Sequence, residues 1–166
     1  MKKPGIFVDI PGLGRRNFRI LASDFTGTLS RAGRLTPGVR PALAALAKQL
    51  DIYVVTADTF GTVRQALARL PLEIHCLSGP GGNHDRQKRA FVRAFDLRSV
   101  VALGNGHLDT LFLQAVRRAG GLAIAIDNGE GCALDAILSA NLFISGAANA
   151  LNLLLDPRRL IATLRC

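Results

Sequence analysis

The chain has 166 residues, 49% hydrophobic and 20% charged, which gives one domain with its own core and excludes a disordered or fibrous protein. Its three cysteines are far apart and show no CxxC spacing, so they read as thiols of a reducing cytoplasm; no run of apolar residues is long enough to span a bilayer. The formal charge is +9, but the cations are mostly arginines spread singly along the chain, with one Tyr and no Trp; this reads as a solvated surface in preference to a nucleic-acid platform.

The amino-terminal run IFVDIPGLGRRNFRI has two apolar stretches about a Pro/Gly/Arg turn, and predicts a β-hairpin within residues 1–19 that extends a sheet. Pro4, Gly5 and Asp9 break this region too early for a signal peptide. Phe18 to Phe25 reads as a strand. Residues 37–49 form a helical pattern, with Thr36 as a candidate N-cap, Pro37 at the first helical position, and Val39, Leu43, Leu46 and Leu50 on one face. Asp51 to Thr56 is strand, Thr59 to Leu70 helix closed by Pro71, and Leu72 to Leu77 strand. After the connector SGPGGN, a helix from Asp85 to Phe95 leads into the strand Ser99 to Leu103 and the turn GNG. Helix from Leu108, strand from Leu122, helix from Glu130, strand from Leu142 and a helix over 147–164 complete the chain. Strands alternating with helices predict an α/β fold, a three-layer Rossmann-like parallel sheet in a single domain spanning 1–166.

In such a sheet, ligands bind beyond the carboxyl ends of the strands, where strand order reverses. Three ends are polar and carry Gly or Ala: DFTGTL after the first strand, TAD after the second, GNGHLD after the fourth. An Asp leaving a buried strand is costly to desolvate unless hydrogen-bonded or bound to a cation. Asp24, in a turn freed by Gly27, is therefore a candidate nucleophile for phosphorus; the competing reading is a turn aspartate.

These three segments together resemble the haloacid dehalogenase superfamily and, within it, the phosphorylation domain of P-type ATPases: DFTGTLS against DKTGTLT, TAD against TGD, GNGHLD against GDGxND. The runs TADTFGTV and ALNLLLDPRRLIATLR further resemble small P-type-ATPase-like phosphatases, which extends the likeness over nearly the whole chain. The resemblance implies a magnesium-dependent phosphoric monoester hydrolase that forms an aspartyl phosphate on Asp24, with the carbonyl of Thr26 as a metal ligand. It further implies Thr56, with Ala57 and Gly27, at the phosphate, Lys88 neutralising phosphoryl charge, and Asn105 and Asp109 at the metal. Lys88 competes with Arg86 and Arg89 of the same DRQKR run, and Asp109 with a simple first-turn helix carboxylate.

Three departures bear on chemistry. Asn105 stands where the ATPases place a carboxylate, and Leu108 where they place Asn. Thr26 occupies the position at which many phosphatases of the superfamily carry an acid/base aspartate, so slow turnover is expected. His107 is a candidate acid/base group or a surface residue, Asp58 a phosphate-pocket residue or a helix cap, and His75 and His84 are structural. The intervals after the first two segments leave no room for a cap domain. The open site suits a phosphorylated small molecule or a phosphoprotein, or a homo-oligomer that shields it. The competing functions are a catalytically weak binding or regulatory module of the same fold and a basic nucleic-acid-associated protein.

Overall fold

A computed structural model describes residues 3–79 and 81–166; Pro80, within SGPGGN, and the first two residues of the predicted hairpin region lie outside it. The amino-terminal run forms the antiparallel pair β1 (Ile6–Ile10) and β2 (Gly14–Phe18). Alternation in β1 buries Ile6, Val8 and Ile10, the period-2 pattern of a half-buried strand. The hairpin is its own two-stranded sheet packed on the core, and its strands are not added to the central sheet. Phe18 belongs to it, so the first central strand is shorter than its sequence pattern: β3 spans Ile20–Ser23.

Beyond β3, a small hairpin of β4 (Ser30–Arg31) and β5 (Arg34–Leu35) precedes α1 (Val39–Leu46). Thr36 does not cap α1. Gly38, at φ 83°, holds the cap position, and the Thr36 hydroxyl donates instead to the Leu29 carbonyl at 3.4 Å. Strand β6 (Asp51–Thr56) follows, then α2 (Val63–Ala66) and β7 (Glu73–Cys76). The predicted helix from Thr59 starts late because Asp58 adopts φ 50° and its Oδ1 accepts from the amides of Thr62 and Val63 at 2.9 and 3.1 Å. The rest of the chain gives α3 (His84–Val92), β8 (Val100–Gly104), α4 (Thr110–Arg118), β9 (Leu122–Asp127), α5 (Leu134–Ser139) and β10 (Leu142–Ser145). The last predicted helix is two, α6 (Ala147–Leu155) and α7 (Pro157–Leu164): Pro157 has no amide to continue the ladder, and Asp156 before it leaves helical geometry and caps α7 through Arg159 N.

The central sheet is six-stranded and parallel, in the order β10-β9-β8-β3-β6-β7. Its two faces differ in side-chain size. Leu21, Val101, Leu103, Leu122, Ile124 and Ile126 point to the side covered by α1, α2, α6, α7 and the amino-terminal hairpin. Ala22, Ala102, Ala123 and Ala125 alternate with them and face α3, α4 and α5. Deleting a fully buried side chain of the first set, as in Leu103→Ala, costs about 2–5 kcal/mol. From β3 the chain runs out to β6 and β7, then returns past β3 to β8, so strand order reverses between β3 and β8. The loops leaving these two strands diverge and open a crevice at their carboxyl ends. Between β3 and β6 the only addition near that crevice is the β4–β5 hairpin, pinned by Ala32 N to Glu130 Oε1 at 2.8 Å and by Thr62 Oγ1 to Gly33 O at 2.7 Å. No helix is long and apolar enough to cross a membrane among the described residues.

Candidate active site

Asp24 follows β3 directly, and its amide is tied across the reversal point to the Leu103 carbonyl at 2.9 Å. Gly27, at φ 77°, turns the chain beneath Asn105; a Cβ there would collide with the Asn105 amide. The turn brings Thr28 back to Asp24, where its Oγ1 lies 3.2 Å from Asp24 Oδ2 and 3.1 Å from Asn105 Oδ1.

Lys88 enters from α3, where His84, Lys88 and Val92 form one buried stripe at four-residue spacing. Arg86 and Arg89 fall outside this stripe, which decides the choice the sequence left open. Lys88 Nζ donates to Asp24 Oδ1 and to Asp109 Oδ1, both at 2.7 Å, and all three side chains are buried. Asp109 Oδ2 accepts from the amides of Asn105 and Gly106 at 3.0 and 2.9 Å, so this carboxylate also shapes the loop after β8.

Burial and the neighbouring Asp109 push the Asp24 carboxyl up to about 6, against the opposing pull of Lys88. For Lys88, burial acts to lower its basicity, but the two carboxylates together outweigh it and hold the ammonium firmly charged. With both aspartates ionised the cluster carries one uncompensated negative charge in a buried place, an arrangement that another cation relieves.

The crevice has a volume of about 270 Å³, and Asp24, Thr26, Thr56, Ala57, Lys88, Asn105 and Asp109 line it together. Gly27 lies below and does not reach the cavity wall. Thr56 Oγ1 accepts from Asp58 N at 3.0 Å, which leaves the hydroxyl proton for another acceptor. Thr26 Oγ1 is buried without a hydrogen-bond partner. Among the described residues no three His, Cys, Asp or Glu side chains converge on a metal position. The oxygen set of two carboxylates and the Asn105 amide suits a hard cation that keeps several waters, as magnesium does, better than a softer metal that needs a cage of nitrogen or sulfur.

Asp58 is a cap and not a pocket wall. His107 borders the crevice as an exposed side chain, its Nδ1 2.8 Å from Asp135 Oδ2, and His75 packs on Phe91 with ring centroids 4.9 Å apart. Sequence reasoning missed Thr28, Thr59 and His84, all of which reach the site or its cavity wall. His84 was legible in principle, being four residues before Lys88 and so on the same helix face. The three cysteines are free thiols.

No protein-family model matches the sequence, and no curated protein does. Solved structures do. The 3-deoxy-D-manno-octulosonate 8-phosphate phosphatase of Moraxella catarrhalis, solved with magnesium, phosphate and KDO, superposes with a TM-score of 0.66 at 15% identity, over 89% of this chain and 94% of that one. The cobalt-bound deoxy-D-mannose-octulosonate 8-phosphate phosphatase of Haemophilus influenzae gives 0.59 at 12% identity, over 89% and 86%. A haloacid-dehalogenase-like hydrolase from Streptococcus pneumoniae gives 0.59 at 11% identity, over 84% and 99%. The fold is thus the haloacid dehalogenase fold with an amino-terminal hairpin added, and the described residues form no cap domain over the crevice.

Proposed function

We propose that the chain is a divalent-metal-dependent phosphatase, a phosphoric monoester hydrolase acting through an aspartyl phosphate on Asp24. The observation that carries this reading is the Lys88 ammonium held 2.7 Å from both Asp24 and Asp109 at the point where strand order reverses. A structural ion pair has no need of a second buried carboxylate, nor of a cavity in front of it. The magnesium- and cobalt-bound neighbours support a metal at such a site.

Asp24, Asp109, Asn105 and the Thr26 carbonyl would hold magnesium, which supplies charge to a bound phosphoryl group. Asp24 attacks phosphorus with one carboxylate oxygen, the ester P–O bond breaks, and the leaving oxygen takes its proton from water. Lys88 stays protonated throughout and offsets the charge on the three phosphoryl oxygens. Thr56 donates its hydroxyl proton to one of them. Water then attacks the phosphorus of the acyl phosphate, releasing inorganic phosphate and restoring the Asp24 carboxylate. Thr26 provides no acid or base for either half, so the second step is slow and the aspartyl phosphate accumulates. An open, capless crevice suits a phosphorylated small molecule or a phosphoprotein.

A second reading, a binding or regulatory module of the same fold, is favoured by Thr26, whose buried hydroxyl has no partner at the position where acid/base chemistry would sit. Labelling separates the two. Protein incubated with radiolabelled acetyl phosphate and magnesium is expected to acquire a hydroxylamine-sensitive label that Asp24→Asn lacks. Equal labelling of the variant, or none in either protein, would sink the enzyme reading.

A further inference from the structure

Scattered along the sequence, seven arginines line two neighbouring clefts of the fold. Arg15, Arg16, Arg19 and Arg98 line a cleft of about 480 Å³ between β2 and the turn at Asp96–Ser99. Arg89, Arg93 and Arg118 line a second, of about 340 Å³, between α3 and α4. The turn at Asp96–Ser99 borders both clefts, supplying Arg98 to the first and Leu97 to the second, and Arg16 of the first donates through Nε to the carbonyl of Gly120, next to Ala119 of the second, at 3.1 Å. Arg19 and Ser99 immediately precede β3 and β8, so the first cleft opens at the amino ends of the strands, opposite the Asp24 crevice.

The charge on this face is largely unanswered. Asp9 lies 3.5 Å from Arg15, and Asp96 is the one carboxylate in either lining, its Oδ1 accepting from Arg98 N at 3.2 Å as a turn cap. Among the described residues, the other six arginines have no carboxylate within ion-pair distance. Planar guanidinium groups along two neighbouring clefts match phosphates spaced along a chain, each able to take two N–H donors. None of the large exposed apolar side chains lines the clefts, so nothing in them would enter a lipid layer, and no aromatic ring offers a stacking surface for bases.

We propose that this arginine face binds the phosphodiester backbone of nucleic acid, without sequence preference and at a distance from the catalytic crevice. The contact is electrostatic, so affinity falls steeply with salt. Each phosphate neutralised contributes about −0.9 to the slope of log affinity against log salt on duplex DNA, so engagement of the four arginines of the first cleft gives about −4.

Fluorescence anisotropy of a labelled DNA duplex and of a labelled single-stranded RNA, titrated with intact protein between roughly 50 and 200 mM salt, measures both quantities. Arg93→Glu/Arg98→Glu is expected to lower affinity at least about tenfold and flatten the slope, with phosphatase activity and thermal melting unchanged. The control Arg64→Glu/Arg158→Glu, which changes net charge equally at exposed positions outside both clefts, is expected to retain most binding. Equal loss in the control would mean that net charge alone attracts the polymer and overturn the assignment. Absence of binding at the lowest salt, or tighter binding to phosphatidylserine vesicles than to either nucleic acid, would overturn it as well.

Discussion

The Thr28 hydroxyl lies between Asp24 Oδ2 and Asn105 Oδ1, at 3.2 and 3.1 Å. It has one proton, so it donates to only one of these acceptors at a time. Donation to Asp24 holds the carboxylate rotamer with Oδ1 toward Lys88; donation to Asn105 releases it. Thr28→Val, which keeps the shape and removes the donor, is expected to lower the rate of Asp24 phosphorylation about tenfold while substrate affinity changes little. Single-turnover labelling reads the two effects separately.

Among the described residues, Lys88 is the one cation within ion-pair distance of the buried carboxylates of Asp24 and Asp109. Lys88→Met keeps the stem length but leaves both aspartates uncompensated, and is expected to destabilise the protein by about 3–5 kcal/mol in urea melts. Adding Asp24→Asn to that variant removes one stranded charge and should restore part of the loss. A double variant no more stable than Lys88→Met would show that the pair is not what the lysine stabilises.

Asn105→Asp places a third carboxylate in the cluster. In chelator the variant should melt below the unmodified protein, because like charges crowd a buried site. With magnesium the order should reverse, since the extra charge raises metal affinity and the bound ion stabilises the folded state. Thermal melts with and without magnesium test both halves.

The raised Asp24 carboxyl has a consequence for folding. Its value of about 6 exceeds the ordinary 3.8, so between those limits the folded state holds the proton more tightly than the unfolded one. In chelator, this group's contribution is present below about pH 4 and is lost as pH rises through about 6. Urea melts over that range should show stability falling with pH relative to Asp24→Asn, which lacks the titration. Parallel curves for the two proteins would contradict it.

Much of this was visible in the residues. Asp24, Thr56 and Asp109 sit at strand ends flanked by polar and Gly-rich turns, and local pattern is enough to place them. Lys88 follows from the resemblance, being the only lysine between the second and last segments, and the buried stripe through His84 and Val92 shows it, not the neighbouring arginines of DRQKR, turning inward. Thr28 escaped notice because its importance is a long-range contact to Asn105, 77 residues away. Element ends slipped for local reasons of the same kind: Gly38 replaced Thr36 as cap, Asp58 delayed α2, and Pro157 cut one predicted helix in two. The gathering of arginines from β2, α3 and α4 has no trace in sequence order, since it is created by the way those elements pack.

The alanines on one side of the sheet act at a distance on the reacting group. Ala22 and Ala102 lie on the face covered by α3 and α4, which pack on each other, and α3 delivers the lysine that reaches Asp24 at 2.7 Å. A methyl or two added there would lift the helix like a shim under a hinge. Ala102→Val would thus behave as a charge-geometry variant, widening the gap between ammonium and nucleophile although it touches neither.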